Sequence, residues 1–379
     1  MIKERAELGV VERVFMTGVM SVTLDSMTSG FNMVTNLTTE ADFADMMGFT
    51  NDEVKDLLTL SYSRPGQAKG SVRFTDEEQA ITYDIFRKNY NGYLFSEEGN
   101  VKVFNATLIM YYLRNYLPSK RIPRSLVDDN LNQSGATIAS IVGLKNREQN
   151  NEIIKKVIHD KQVEGTLQPF VNIDIKFDEN DLITLLFNIG MLTIKGFDME
   201  TQFEMPNKII ENIYLQYLSD WVQQQSNYTL GVDKQKQAMI ELGRKGDIGA
   251  LTALVSEFLM HTSPRNTMKF DEKYIKLVYM MLLTYSDQFS IYDEFPALQG
   301  FNDLLIQKAP NSTARYEVLI ELKYLKKGET TQEQIEKVLL EGIHQIEKYM
   351  KDERLAKREN LKKFVVVFSG FEATRVQEL

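Results

Sequence analysis

Two carboxylates and an amine are spaced so that one surface could carry all three. Glu321 and Lys323 stand at i and i+2 in the apolar run YEVLIELKYL. Alternate side chains of a strand point to the same face, so these two share one while Ile320 and Leu322 point to the other. Asp303 lies near the start of the preceding apolar run, FNDLLIQK, and the polar turn APNST separates the two runs. A hairpin there sets the acids side by side. Charges emerging from a buried strand are costly unless they are paired or used. Two close carboxylates suit a hard divalent cation such as Mg²⁺, which prefers oxygen ligands. Such a cation polarises a phosphoryl oxygen and lowers the pKa of bound water, the two requirements of phosphodiester hydrolysis.

The elements that must position these residues follow from the hydrophobic pattern after residue 270. A helix, YIKLVYMMLLTYS, precedes a strand, FSIYDEF. The two strands already named follow, then a long helix from Thr331 to about Lys357, then the strand FVVVFSG. The predicted order is α-β-β-β-α-β. On the long helix Gln345 and Tyr349 are one turn apart on one face. Glu294 sits on the strand before Asp303.

This set resembles the PD-(D/E)XK nuclease superfamily, with Asp303 and the run Glu321-Leu322-Lys323 as its signature. The element order is similar to the superfamily core, a restriction-endonuclease-like α/β domain. Gln345 and Tyr349 resemble the Q-x3-Y motif of RecB-like members, whose side chains help form the active-site wall. In one subgroup the glutamate matching Glu294 is followed by Gly-Arg-x-Asp. Here Gly300 and Asp303 match, and Phe301 replaces the arginine. The resemblance implies Glu294, Asp303 and Glu321 as ligands of Mg²⁺ or Mn²⁺. It implies Lys323 as the group that orients or helps deprotonate the attacking water, and DNA as the substrate.

Further upstream, VFMTGV, SGFNMVTNLT, GFTNDEVKDLL, YNGYLFS and VFNATLIMYYL resemble bacterial AAA-ATPase-like proteins that carry such a nuclease domain at the C-terminus. Thr17 stands where that family has its sensor threonine. A P-loop is not found: GQAKGS and GRKGDIG do not fit its pattern. No ATP binding or ATPase activity is therefore expected. The expected organisation is multi-domain α/β. Residues 1–35 form a remnant of the AAA-ATPase-like core. Residues 36–265 form a mainly helical or lid region with a winged-helix-like module at 150–225, and 266–379 form the nuclease-like domain. The hairpin of that module carries Asp198, Glu200 and Glu204, which favours a structural role over groove reading. Self-association or an upstream ATPase polypeptide is expected to cover the N-terminal remnant.

Composition narrows the chemistry. Cysteine is absent, and the three histidines, His159, His261 and His344, are far apart, so a zinc site is not expected. No apolar run approaches a membrane span, and a cytoplasmic location with no membrane partner is expected. The net charge of −9 counts against tight non-specific grip on duplex DNA. The basic stretch KDERLAKRENLKK reads as a solvated helix face with i,i+4 ion pairs. Missing P-loop and Phe301 together favour an alternative, a catalytically inactive nuclease-fold and ATPase-fragment protein that acts as a binding or regulatory module.

Overall fold

The computed structural model describes residues 37–62, 72–128, 134–169, 171, 177–262, 271–293, 296–297, 300–301, 303–327 and 330–379. Thr17, the segments assigned to an ATPase remnant at 1–35, Glu294 and most of the linker TSPRNTMK lie outside them. The chain divides into two compact units, one ending at Tyr214 and the other beginning at Leu215.

In the first unit, α1 (Asn51–Thr59) and α2 (Asp76–Asn89) both start on complete capping boxes, Thr50 with Glu53 and Thr75 with Glu78. Gly92 then turns the chain at φ 107°, a value that favours glycine. Helix α3 (Ala106–Tyr116) buries Leu108, Ile109, Tyr112 and Leu113. Helices α4 (Ser134–Val142), α5 (Arg147–His159) and α6 (Glu179–Asn188) pack on one another. Strands β1 (Val163–Gly165), β2 (Thr193–Asp198) and β3 (Glu200–Glu204) form an antiparallel sheet in the order β1-β3-β2. The helix α7 (Lys208–Ser226) runs through the division between the units.

The second unit opens with the C-terminal part of α7. Helices α8 (Val232–Lys245) and α9 (Gly249–Thr262) belong to it. Then come α10 (Glu272–Leu283), β4 (Phe289–Asp293), a small hairpin of β5 (Pro296–Ala297) and β6 (Gly300–Phe301), β7 (Leu304–Lys308) and β8 (Glu317–Leu325). Helix α11 (Gln332–Tyr349), the short α12 (Glu353–Ala356), β9 (Leu361–Ser369) and β10 (Glu372–Glu378) complete the chain. The main sheet has the order β10-β9-β8-β7-β4. Its β8–β9 pair is parallel and the others antiparallel. Parallel neighbours need a crossover, and α11 supplies it.

Three features depart from the sequence reading. The run FNDLLIQK is split, with Asp303 in a bend between β6 and β7. The long helix stops at Tyr349 because the buried Asp352 starts α12, its side chain accepting from the Arg354 amide. A last strand, β10, was not expected. Its residues are mostly exposed, so EATRVQE lacks the apolar signal of a buried strand.

Each face of the sheet is covered by a helix. Leu319, Leu325, Val365 and Val367 pack with Leu339, Ile346 and Tyr349 of α11. By the period of two, Val318, Ile320, Leu322, Val366 and Phe368 face the other way, and Phe368 meets Tyr279 of α10 edge to face. A strand buried on both faces has nowhere to place a charge cheaply, yet β8 carries Glu321 and Lys323.

Candidate active site

The register fixes where the acids stand. In the β7–β8 pair Leu304 faces Ile320, Leu305 faces Leu319 and Ile306 faces Val318. One step beyond Leu304↔Ile320, Asp303 comes opposite Glu321. The Leu322 amide donates to Asp303 Oδ2 at 2.8 Å, which ties that carboxylate to the strand of Glu321. Lys323 Nζ donates to Glu321 Oε1 at 2.8 Å, and both side chains are nearly out of solvent, at 12% and 3% exposure. The other oxygen, Glu321 Oε2, is buried with no hydrogen-bond partner.

The electrostatics follow from this placement. Burial pushes the Glu321 carboxyl up to about 7, helped by the charges of Asp303 and Glu272 and opposed by Lys323. Burial pulls the Lys323 amine down, but Glu321, Glu272 and Asp303 outweigh it and raise its pKa, so the amine is an ammonium at neutral pH. Burial, then Glu321 and Asp303, raise the Tyr349 phenol. That hydroxyl stands beside the Glu321 carboxylate, and its interaction with Glu321 adds to the shift.

Glu272 was missed in the sequence. It is the first residue of α10, directly after the N-cap Asp271, where an acid suits any helix N-terminus. In the fold its Oε1 accepts from the Tyr324 amide at 3.0 Å, at the end of the same strand. Burial raises its pKa, Lys323 and the Tyr324 amide oppose this, and Asp303 and Asp271 add to it. Only the tertiary packing of α10 against β8 brings it to Lys323.

Helix α11 forms the facing wall. Tyr349 is buried in the core cluster beneath it, while Gln345 lines an open groove of about 630 Å³ with Glu272, Lys323, Leu340, His344 and Lys348. The structure thus brings together Asp303, Glu321, Lys323 and Tyr349, with Gln345 on the adjoining groove. Strand β6 puts the backbone of Phe301 in a hairpin with Pro296, just before Asp303. The basic stretch after Lys351 is laced with ion pairs: Arg354 with Asp352, Lys357 with Glu353, Arg358 with Glu317 and Lys362 with Glu378.

The donor set fits a divalent cation. Among the described residues no three His, Asp or Glu side chains form a closed cluster. Two facing carboxylates do, however, repel one another, and a buried oxygen without a partner lies on one of them. Mg²⁺ commonly takes one or two carboxylates and keeps several waters, so a full protein cage is not required.

Residues 270–378 match the family model of the PD-(D/E)XK nuclease superfamily, and the chain carries a domain of that superfamily there. Comparison with curated proteins gives no match. Among the described residues no helix is long and apolar enough to cross a membrane.

Proposed function

We propose that the C-terminal domain hydrolyses phosphodiester bonds of DNA with the help of Mg²⁺ or Mn²⁺. The observation that carries this reading is Glu321: a buried carboxylate facing Asp303, with one oxygen on Lys323 and the other unpartnered. Asp303 and Glu321 would hold the cation, with Glu294 as a further ligand and Glu272 adding negative charge to the site. The bound cation supplies Lewis acidity and an acidified water.

This chain's residues do the rest. Lys323, fixed by Glu321, presents an ammonium that orients the attacking water and stabilises charge on the phosphate. Its raised pKa argues against Lys323 taking the proton from that water. Gln345 lines the groove beside Lys323, and the buried Tyr349 next to Glu321 restricts solvent there. The region before the domain we read as AAA-ATPase-like, on the strength of the segments VFMTGV through VFNATLIMYYL.

A second reading, a domain of this fold that binds without cutting, is favoured by Phe301 at the place of an arginine. Calorimetric titration with Mn²⁺ separates the two. Saturable binding that Glu321→Ala abolishes supports the hydrolase, and no binding to the unaltered chain removes it.

A further inference from the structure

Helix α11 contains a glycine in its interior, at position 342, where glycine is a poor helix former. The structure gives a reason for it. Gly342 is buried, and a Cβ there would stand 2.6 Å from Val365 Cγ1 and 3.3 Å from Cγ2. Val365 is fully buried and β-branched, so its side chain has little freedom to turn away. In the parallel β8–β9 register Val365 is paired with Glu321. The tight spot between helix and sheet is therefore next to the acid at the centre of the site.

The helical repeat then places the cleft wall. Gln345 and Ile346 follow Gly342 by about one turn, and Tyr349 by about two, on one side of the helix. Ile346 and Tyr349 share the buried cluster with Val365 and Val367. Whatever height the helix takes at Gly342 is passed along a rigid element to Tyr349.

We infer that Gly342 is a positioning residue: its missing side chain sets how close α11 lies to the β8–β9 pair, and so holds Tyr349 at Glu321 and Gln345 on the groove beside Lys323. The catalytic consequence rests on the nuclease reading, and the placement of Tyr349 does not. A larger residue at 342 lifts the helix, and a smaller one at 365 lets it down again.

The test uses the full chain with Gly342→Ala, Gly342→Val, Val365→Ala and the corresponding double variants. Nitration of tyrosines by tetranitromethane, mapped on peptides, reports the wall without any assay of cleavage. Tyr349 is 4% exposed, and Tyr279, fully buried on the other face of the sheet, reports global opening. In Gly342→Val, Tyr349 becomes reactive while Tyr279 stays protected, and adding Val365→Ala restores protection. Cleavage falls on the order of 10²-fold in kcat, the cost of misplacing a site group by about 1 Å, with KM and Mn²⁺ affinity little changed. Gly342→Ala gives a smaller effect of the same kind. Tyr349 staying protected in a folded Gly342→Val variant overturns the inference, as does exposure that Val365→Ala fails to reverse. If the unaltered chain cuts no DNA, the nuclease reading falls, and the nitration result alone decides the role of Gly342.

Discussion

Asp303, in the bend just before β7, lies beside Glu321 of β8: the amide of Leu322 fastens its carboxylate, and its charge acts on Glu321. A backbone amide holds the Asp303 carboxylate and the Lys323 ammonium holds that of Glu321. Burial, helped by the Asp303 charge, places the titration of Glu321 near neutral pH.

The first prediction concerns metal-free stability. The Glu321 pKa is raised on folding, from 4.5 to about 7. The folded state holds this proton more tightly than the unfolded one. The contribution of Glu321 to stability is thus fully present below about pH 4.5 and is lost as pH rises through about 7. Thermal melts in EDTA should show Tm falling between pH 5 and pH 8 by more in the unaltered chain than in Glu321→Gln. Equal slopes in the two would mean that Glu321 does not titrate in this window.

Metal binding should have the opposite pH preference. A cation must displace the proton, so binding weakens as pH falls below about 7. At a hundred times its Kd, a ligand of the native state adds about 2.7 kcal/mol of stability. Mg²⁺ or Mn²⁺ should therefore raise Tm more at pH 8 than at pH 5. Asp303→Asn and Glu321→Gln should each remove most of that rise, which scanning calorimetry would detect.

Lys323→Met removes the only cation hydrogen-bonded to Glu321 Oε1 in the described structure. Breaking a buried ion pair while the remaining charge stays ionised costs about 3–5 kcal/mol. Glu321 can escape by protonating, so the loss should be larger at pH 8 than at pH 5. Metal binding should survive, because the carboxylates remain, while DNA cleavage should be lost. A variant that keeps full activity would remove Lys323 from the mechanism.

Glu272→Gln should separate charge from backbone support. The amide oxygen can still accept from the Tyr324 N–H, so stability should change by less than about 1 kcal/mol. The lost charge should weaken Mn²⁺ binding and cleavage together. Unchanged affinity in a titration would place Glu272 outside the metal's reach.

Much of this was legible in residue order. The capping pairs Thr50 with Glu53 and Thr331 with Gln334 signal helix starts by chemistry local to four residues. The period-2 rule is equally local, and it put Glu321 and Lys323 on one face. Glu272 was not legible, because its contact with Tyr324 spans 52 residues and depends on how α10 packs. Gly342 was missed for a similar reason: its meaning lies in Val365, on a strand across the layer. The break after Tyr349 and the strand β10 carry weak apolar signals, and tertiary context decides both.

The most direct measurement is cleavage of end-labelled linear, nicked and single-stranded DNA with Mg²⁺ or Mn²⁺, comparing the unaltered chain with Glu321→Ala and Asp303→Ala. The account predicts products that appear only with the metal, rise with its concentration to a plateau, and vanish in both variants. Products that persist in Glu321→Ala, or none from a folded, metal-binding unaltered chain on any of the three substrates, would contradict it.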